Sequence, residues 1–192
     1  MVAAVLLASG FSERFGKKNK LLFPFRGKPL ARYALELATG MGFSGGIYFV
    51  TASSDVAALA ADLNAVNVIK NTAPERGQRE SVRLGVEAAG QNVEYFLFLP
   101  CDQPFLDAGT VQSVLDNREH GCIVEPRYRG RPGNPCLFSA VFRKELFSLT
   151  DGQTPRLIKE RHPQALRGVE VSNPLALEDI DDEKTHRRFS LS

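Results

Sequence analysis

Residues Val2 to Leu7 form an unbroken apolar run that gives way at once to Ala8-Ser9-Gly10. A strand without polar alternation calls for burial on both faces, which a parallel sheet covered by helices provides. The run is too short to span a bilayer and lacks the flank and cleavage region of a secretion signal, so a cytoplasmic protein with no membrane partner is expected. The small side chains after it let a ligand approach the backbone. The loop then carries Arg14, Lys17, Lys18 and Lys20. Such a turn aims N–H groups and cations at phosphate. A solvated basic turn is the plain alternative, but α/β sheets collect ligands at the carboxyl ends of their strands, and this loop follows the first strand.

Two familiar phosphate loops fail on spacing. A dinucleotide fingerprint needs three glycines as G-x-G-x-x-G, and only Gly10 and Gly16 are present; a Walker A loop ending at Gly16-Lys17 would need glycine at Phe11 and Ser or Thr at Lys18.

With 192 residues, 43% of them hydrophobic, the chain can bury a substantial core and is read as one domain over 1–192. The 24 Lys and Arg against 22 Asp and Glu leave no global field to recruit nucleic acid, so any anion site must be local. Cys101, Cys122 and Cys136 are far apart and odd in number, which argues for small buried residues rather than disulfides or a metal motif. His120, His162 and His186 fall in no zinc or Cys–His pattern.

β-rich runs alternate with helical patterns. Strands are expected at Ile47–Thr51, Val66–Ile69, Val93–Leu99, Cys122–Glu125, Cys136–Phe138 and Leu166–Val171. Helices are expected after Pro29, from Ser53 or Ser54 to Leu63, and at Glu80–Ala89 and Ala108–Leu115, the last capped by Asp107. Further helical segments are read at Phe142–Leu149, Pro155–Arg161 and after Asp182, and an antiparallel excursion around the basic, glycine-rich segment 127–133.

Asp102 stands just past the most β-like run, between Pro100 and Pro104. A carboxylate there suits Mg²⁺, which takes one or two protein carboxylates and completes its shell with phosphate and water. A turn aspartate bonding its own backbone is the ordinary reading, and the basic first loop reverses that preference. Asp179 and Asp181 would share a face if extended, or the acidic run could cap a last helix. Residues 75–81 mix Gly77 with polar side chains and could read a base edge through backbone groups and Ser81, or simply start a helix. The Gly130–Pro135 turn is constrained enough to meet a second anionic substrate, with a surface turn as its rival. These parts suit attack of a phosphate oxygen on the α-phosphorus of a nucleoside triphosphate. That reaction needs charge neutralisation and alignment more than a protein nucleophile.

The segments also resemble the molybdenum-cofactor-type nucleotidyltransferases, above all the molybdenum cofactor cytidylyltransferases, over nearly the whole chain. The resemblance is carried by Leu6-Leu7-Ala8-Ser9-Gly10-Phe11-Ser12-Glu13-Arg14-Phe15-Gly16 with Lys20 before Leu21-Leu22, by Asp102-Gln103-Pro104, by Gly133-Asn134-Pro135 and, partly, by Asp179-Ile180-Asp181. Ser9 departs from the family pattern at a position that helps separate cytosine from guanine. The resemblance implies a doubly wound, mainly parallel α/β sheet with an antiparallel edge, similar to nucleotide-diphospho-sugar transferases. It implies transfer of CMP from CTP to molybdenum-loaded molybdopterin, with Mg²⁺ on Asp102 and on Asp179 or Asp181, and a molybdenum hydroxylase apoenzyme as receiving partner. Arg14 and Lys20 would neutralise the triphosphate; Leu7, Ala8, Ser9 and Gly10 with Gly77 and Ser81 would hold the nucleoside; Gly133, Asn134 and Pro135 would face the pterin. Alternatives are a guanylyl- or cytidylyltransferase with another phosphate acceptor, or a nucleotide-binding regulatory module without turnover.

Overall fold

The computed structural model describes residues 1–10, 19–181 and 185. In chain order its strands are β1 (Val2–Leu7), β2 (Pro24–Phe25), β3 (Lys28–Pro29), β4 (Ile47–Thr51), β5 (Val66–Lys70), β6 (Tyr95–Pro100), β7 (Ile123–Tyr128), β8 (Arg131–Pro132), β9 (Cys136–Ser139) and β10 (Leu166–Glu170). The helices are α1 (Leu30–Met41), α2 (Ser54–Ala57), α3 (Gln78–Ala88), α4 (Ala108–Asp116), α5 (Arg143–Ser148) and α6 (Arg156–Arg161).

One sheet runs β10-β7-β9-β6-β1-β4-β5, with β8 paired to β7. The pairs β5–β4, β4–β1, β1–β6 and β7–β10 are parallel, and β9 is antiparallel to both neighbours. The mainly parallel α/β class thus stands. Its antiparallel members are the interior strand β9 and the short β8, where the segment after β7 turns back on itself.

The all-apolar strands bury both faces, as an unalternating pattern demands. In β1, Ala4 and Leu6 pack with Leu35 of α1 and Val111 and Val114 of α4, while Ala3 and Val5 pack with Val82 and Val86 of α3 and Leu146 of α5. Gly85 brings α3 down on β1: a Cβ there would lie 2.2 Å from Val5 Cγ1. No helix among the described residues is long and apolar enough to cross a membrane.

Two local expectations differ. The helix capped by Ser53 ends at Ala57, followed by a 3-10 turn over Ala58–Ala60, instead of continuing to Leu63. Arg32 Nη1 donates to the Leu59 carbonyl at 2.7 Å, and Leu63 bonds Ala60 with the shorter 3-10 spacing. The β2–β3 hairpin was not anticipated; Arg26 at φ 46° and Gly27 at φ 92° supply its two-residue turn. The helix expected after Asp182 lies outside the described residues, apart from Thr185.

Candidate active site

Lys20 opens a 3-10 turn (Lys20–Leu22) that is capped by Asn19 and anchored by buried Leu21. Its ammonium donates to Asp102 Oδ2 at 2.7 Å and to Asp181 Oδ1 at 2.8 Å. Asp102 sits just past the end of β6, and its backbone carbonyl accepts from Ile180 N at 2.9 Å. Ile180 is fully buried against Phe25 and Leu30. That anchor directs Asp181 to Lys20 and Asp179 to Gln103, whose Nε2 donates to Asp179 Oδ1 at 2.7 Å. The returning segment therefore delivers both carboxylates beside Asp102.

Burial works against the charge of Lys20, but the Asp102 and Asp181 carboxylates outweigh it and its pKa lies above the ordinary lysine value. Asp179 is raised to about 6, first by burial and then by repulsion from Asp102. The three carboxylates form an oxygen-only, mutually repelling set, the chemistry that a hard divalent cation relieves. As placed, with Lys20 among them, no three His, Cys, Asp or Glu side chains among the described residues are arranged to hold one ion.

Beside this cluster lies a cleft of about 490 Å³. Leu7, Ser9 and Gly10 contribute from the end of β1, Asp102 from β6, and Pro74, Gly77, Gln78 and Ser81 from the approach to α3. Gly77 has φ 74° and ψ −161°, a conformation open essentially to glycine, and it turns the chain into the helix. Ser81 Oγ accepts from buried Asn71 at 3.2 Å. Ser9 Oγ donates to the Val50 carbonyl at 3.2 Å, so its hydroxyl is engaged with β4. Ala8 is buried and ties β1 to Val50 and Thr51 through its backbone.

The segment before β9 divides. Asn134 lines the cleft. Gly133 packs under Leu177, where a Cβ would come within 2.9 Å of Cδ1, and Pro135 is buried behind a cis Asn134–Pro135 bond. Arg14 lies outside the described residues.

Sequence reasoning missed the wall made by α6 and its approach. Thr154, Pro155, Arg156 and Lys159 line the cleft with Cys136. Lys159 Nζ donates to Glu125 Oε2 at 2.8 Å and lies 3.6 Å from Cys136 Sγ. The available signals were an acidic residue inside an apolar strand and two cations three apart on a helix, which share one face.

The model of the MobA-like NTP transferase domain matches residues 4–166. The nicotine blue oxidoreductase of Paenarthrobacter nicotinovorans is 27% identical over 188 residues, covering 94% of this chain and 92% of that protein. The molybdenum cofactor guanylyltransferase of Ralstonia pickettii (strain 12J) is 25% identical over 165 residues, 79% of this chain and 77% of that protein. Rv0371c from Mycobacterium tuberculosis, 24% identical, superposes over 100% of this chain and 98% of its own with a TM-score of 0.82, and of 0.76 in its complex with manganese. The family match runs from the strand that launches the basic loop to the strand beyond the cationic wall, and the chain belongs to the MobA-like NTP transferase family as a nucleotidyltransferase of that type.

Proposed function

We propose that the protein transfers CMP from CTP to the phosphate of molybdenum-loaded molybdopterin. An acceptor phosphate oxygen attacks the α-phosphorus, a new P–O–P bond forms, the bond to the β-phosphate breaks, and pyrophosphate leaves. The observation that carries this reading is Lys20, seated between Asp102 and Asp181 beside the glycine-lined cleft. Here a cation and carboxylates meet at the carboxyl end of β6, and no nucleophilic side chain is required.

In this reading Arg14 and Lys20 neutralise the triphosphate, and Leu7 to Gly10 with Gly77 and Ser81 enclose the nucleoside. Asp102, with Asp179 and Asp181 beside it, would hold Mg²⁺, which when bound supplies charge neutralisation on the phosphates; the manganese complex of Rv0371c supports a divalent ion in this fold. The choice of CTP rests on the motif resemblance to cytidylyltransferases. The Ralstonia relative's name makes GTP the second reading. Redox turnover, suggested by the Paenarthrobacter relative's name, lacks support in the first loop, which has no three-glycine dinucleotide fingerprint. One domain over 1–192, a cytoplasmic setting and hand-over to a molybdenum hydroxylase apoenzyme complete the proposal.

The test is a pyrophosphate-release screen of CTP and GTP against molybdopterin-type and simpler phosphate acceptors, with and without Mg²⁺. Release that needs CTP, Mg²⁺ and the molybdopterin-type acceptor together is expected. Release with GTP alone would transfer the assignment to guanylyl transfer, and no release with either nucleotide would overturn it.

A further inference from the structure

Glu125 lies on the face of β7 that it shares with buried Ile123 and with Arg127, and its side chain is only 2% exposed. Two cations meet its one carboxylate: Lys159 at 2.8 Å and Arg127, through Nη2 at 3.0 Å and Nε at 3.2 Å. The group therefore keeps a net positive charge, and of its members Lys159 lines the cleft. A lysine ammonium carries three N–H donors. One goes to Glu125 and one faces Cys136 Sγ at 3.6 Å, which leaves one for a ligand. Burial by itself would lower the pKa of Lys159, but that pKa lies above the ordinary lysine value, and at neutral pH the Glu125 carboxylate is the charge that holds the ammonium protonated.

Position fits a second phosphate. Asp102 follows β6, and Glu125 lies in β7, two strands away across β9, which is roughly 10 Å along the sheet at ordinary strand spacing. The cleft thus has the Asp102 carboxylate on one strand end and a fixed cation two strands away.

We propose that Lys159, held in place by Glu125, anchors the phosphate of the acceptor substrate, a phosphomonoester dianion, during nucleotidyl transfer. The identity of that anion as the acceptor rests on the transferase reading above.

Calorimetry on the full chain tests this with phenyl phosphate as the phosphomonoester probe and with CTP plus Mg²⁺. Lys159→Gln is expected to weaken phenyl phosphate binding about ten-fold, the worth of one charge-assisted hydrogen bond, and to leave CTP affinity within about two-fold. Lys159→Arg should restore most of the probe affinity. Unchanged phenyl phosphate binding in Lys159→Gln, or a loss that falls on CTP instead, overturns the proposal. Failure of the transferase reading has a separate signature: the unaltered chain binds neither CTP nor GTP and releases no pyrophosphate, while Lys159-dependent probe binding persists and the anion site stands. Should Lys159→Gln not fold, the unaltered chain decides: phenyl phosphate must slow reductive methylation of Lys159 relative to exposed Lys144, and equal rates overturn the site.

Discussion

Lys20 and Lys159 are alike in burial and pairing. Their side chains are 16% and 20% exposed, and each lies 2.7 or 2.8 Å from a carboxylate. They differ in the company they keep. The partners of Lys20, Asp102 and Asp181, are 22% and 52% exposed, whereas Glu125 is 2% exposed. An ion pair open to water is inexpensive to rearrange, but a buried carboxylate that loses its cations is left as an uncompensated charge. In the proposed reaction the cluster at Lys20 can therefore exchange partners as phosphate and a cation arrive, while Lys159 is a fixed charge built into the fold. A transfer site needs both, one end that remakes its contacts and one that holds its substrate still.

The contrast breaks most readily at Asp102. Asp102→Asn is expected to cut pyrophosphate release about a thousand-fold, or about 4 kcal/mol of barrier. The fold should survive, because Ile180 bonds the Asp102 backbone carbonyl rather than its side chain. A variant with near-normal turnover would remove Asp102 from the chemistry.

Next in size is Glu125→Gln, which strands Lys159 and Arg127 and should cost about 3 kcal/mol in denaturant unfolding. A loss under about 1 kcal/mol would show that Lys159 is no more firmly held than Lys20.

Asp179 gives a pH dependence. Its folded pKa, about 6, lies above the ordinary aspartate value of 3.8, so the native state binds the extra proton between them. Stability from this group is therefore lost as pH rises from about 4 to about 6 and is level above that, a decline of roughly 2 kcal/mol once partial exposure is allowed for. Metal-free Asp179→Asn should lack that decline when unfolding is compared at the two ends of the window, and parallel curves for both proteins would refute the assignment. The smallest effect belongs to Asp181→Asn, with less than about 1 kcal/mol of stability at stake in the metal-free protein; a larger loss would make the Lys20 end as rigid as the other.

Much of this frame was legible in the chain. The runs at Val2–Leu7 and Ile47–Thr51 became strands with the expected bounds, because an unalternating apolar pattern has few other uses. Ser53 and Asp107 cap helices as their residue types suggest, each accepting a backbone N–H. The early end of α2 was not legible, since it depends on Arg32 reaching in from α1 to a carbonyl at Leu59. In the candidate site, Lys20 and Asp102 were singled out from motif and position, and the fold pairs them. Lys159 was not, because a lysine on a six-residue helix looks like any surface cation until Glu125 is seen beneath it.

The division between sequence and tertiary structure follows from the range of the forces involved. Local pattern and turn chemistry, read along the chain, were enough for a layered α/β protein with a small-residue, basic loop after its first strand. Only the folded sheet decided that β9 runs backwards between β6 and β7, that Ile180 anchors the returning segment so that Asp181 reaches Lys20, and that Glu125 lies under Lys159. Each of these joins residues far apart in the chain, and their energy comes from burial and charge pairing that do not exist until the core has closed.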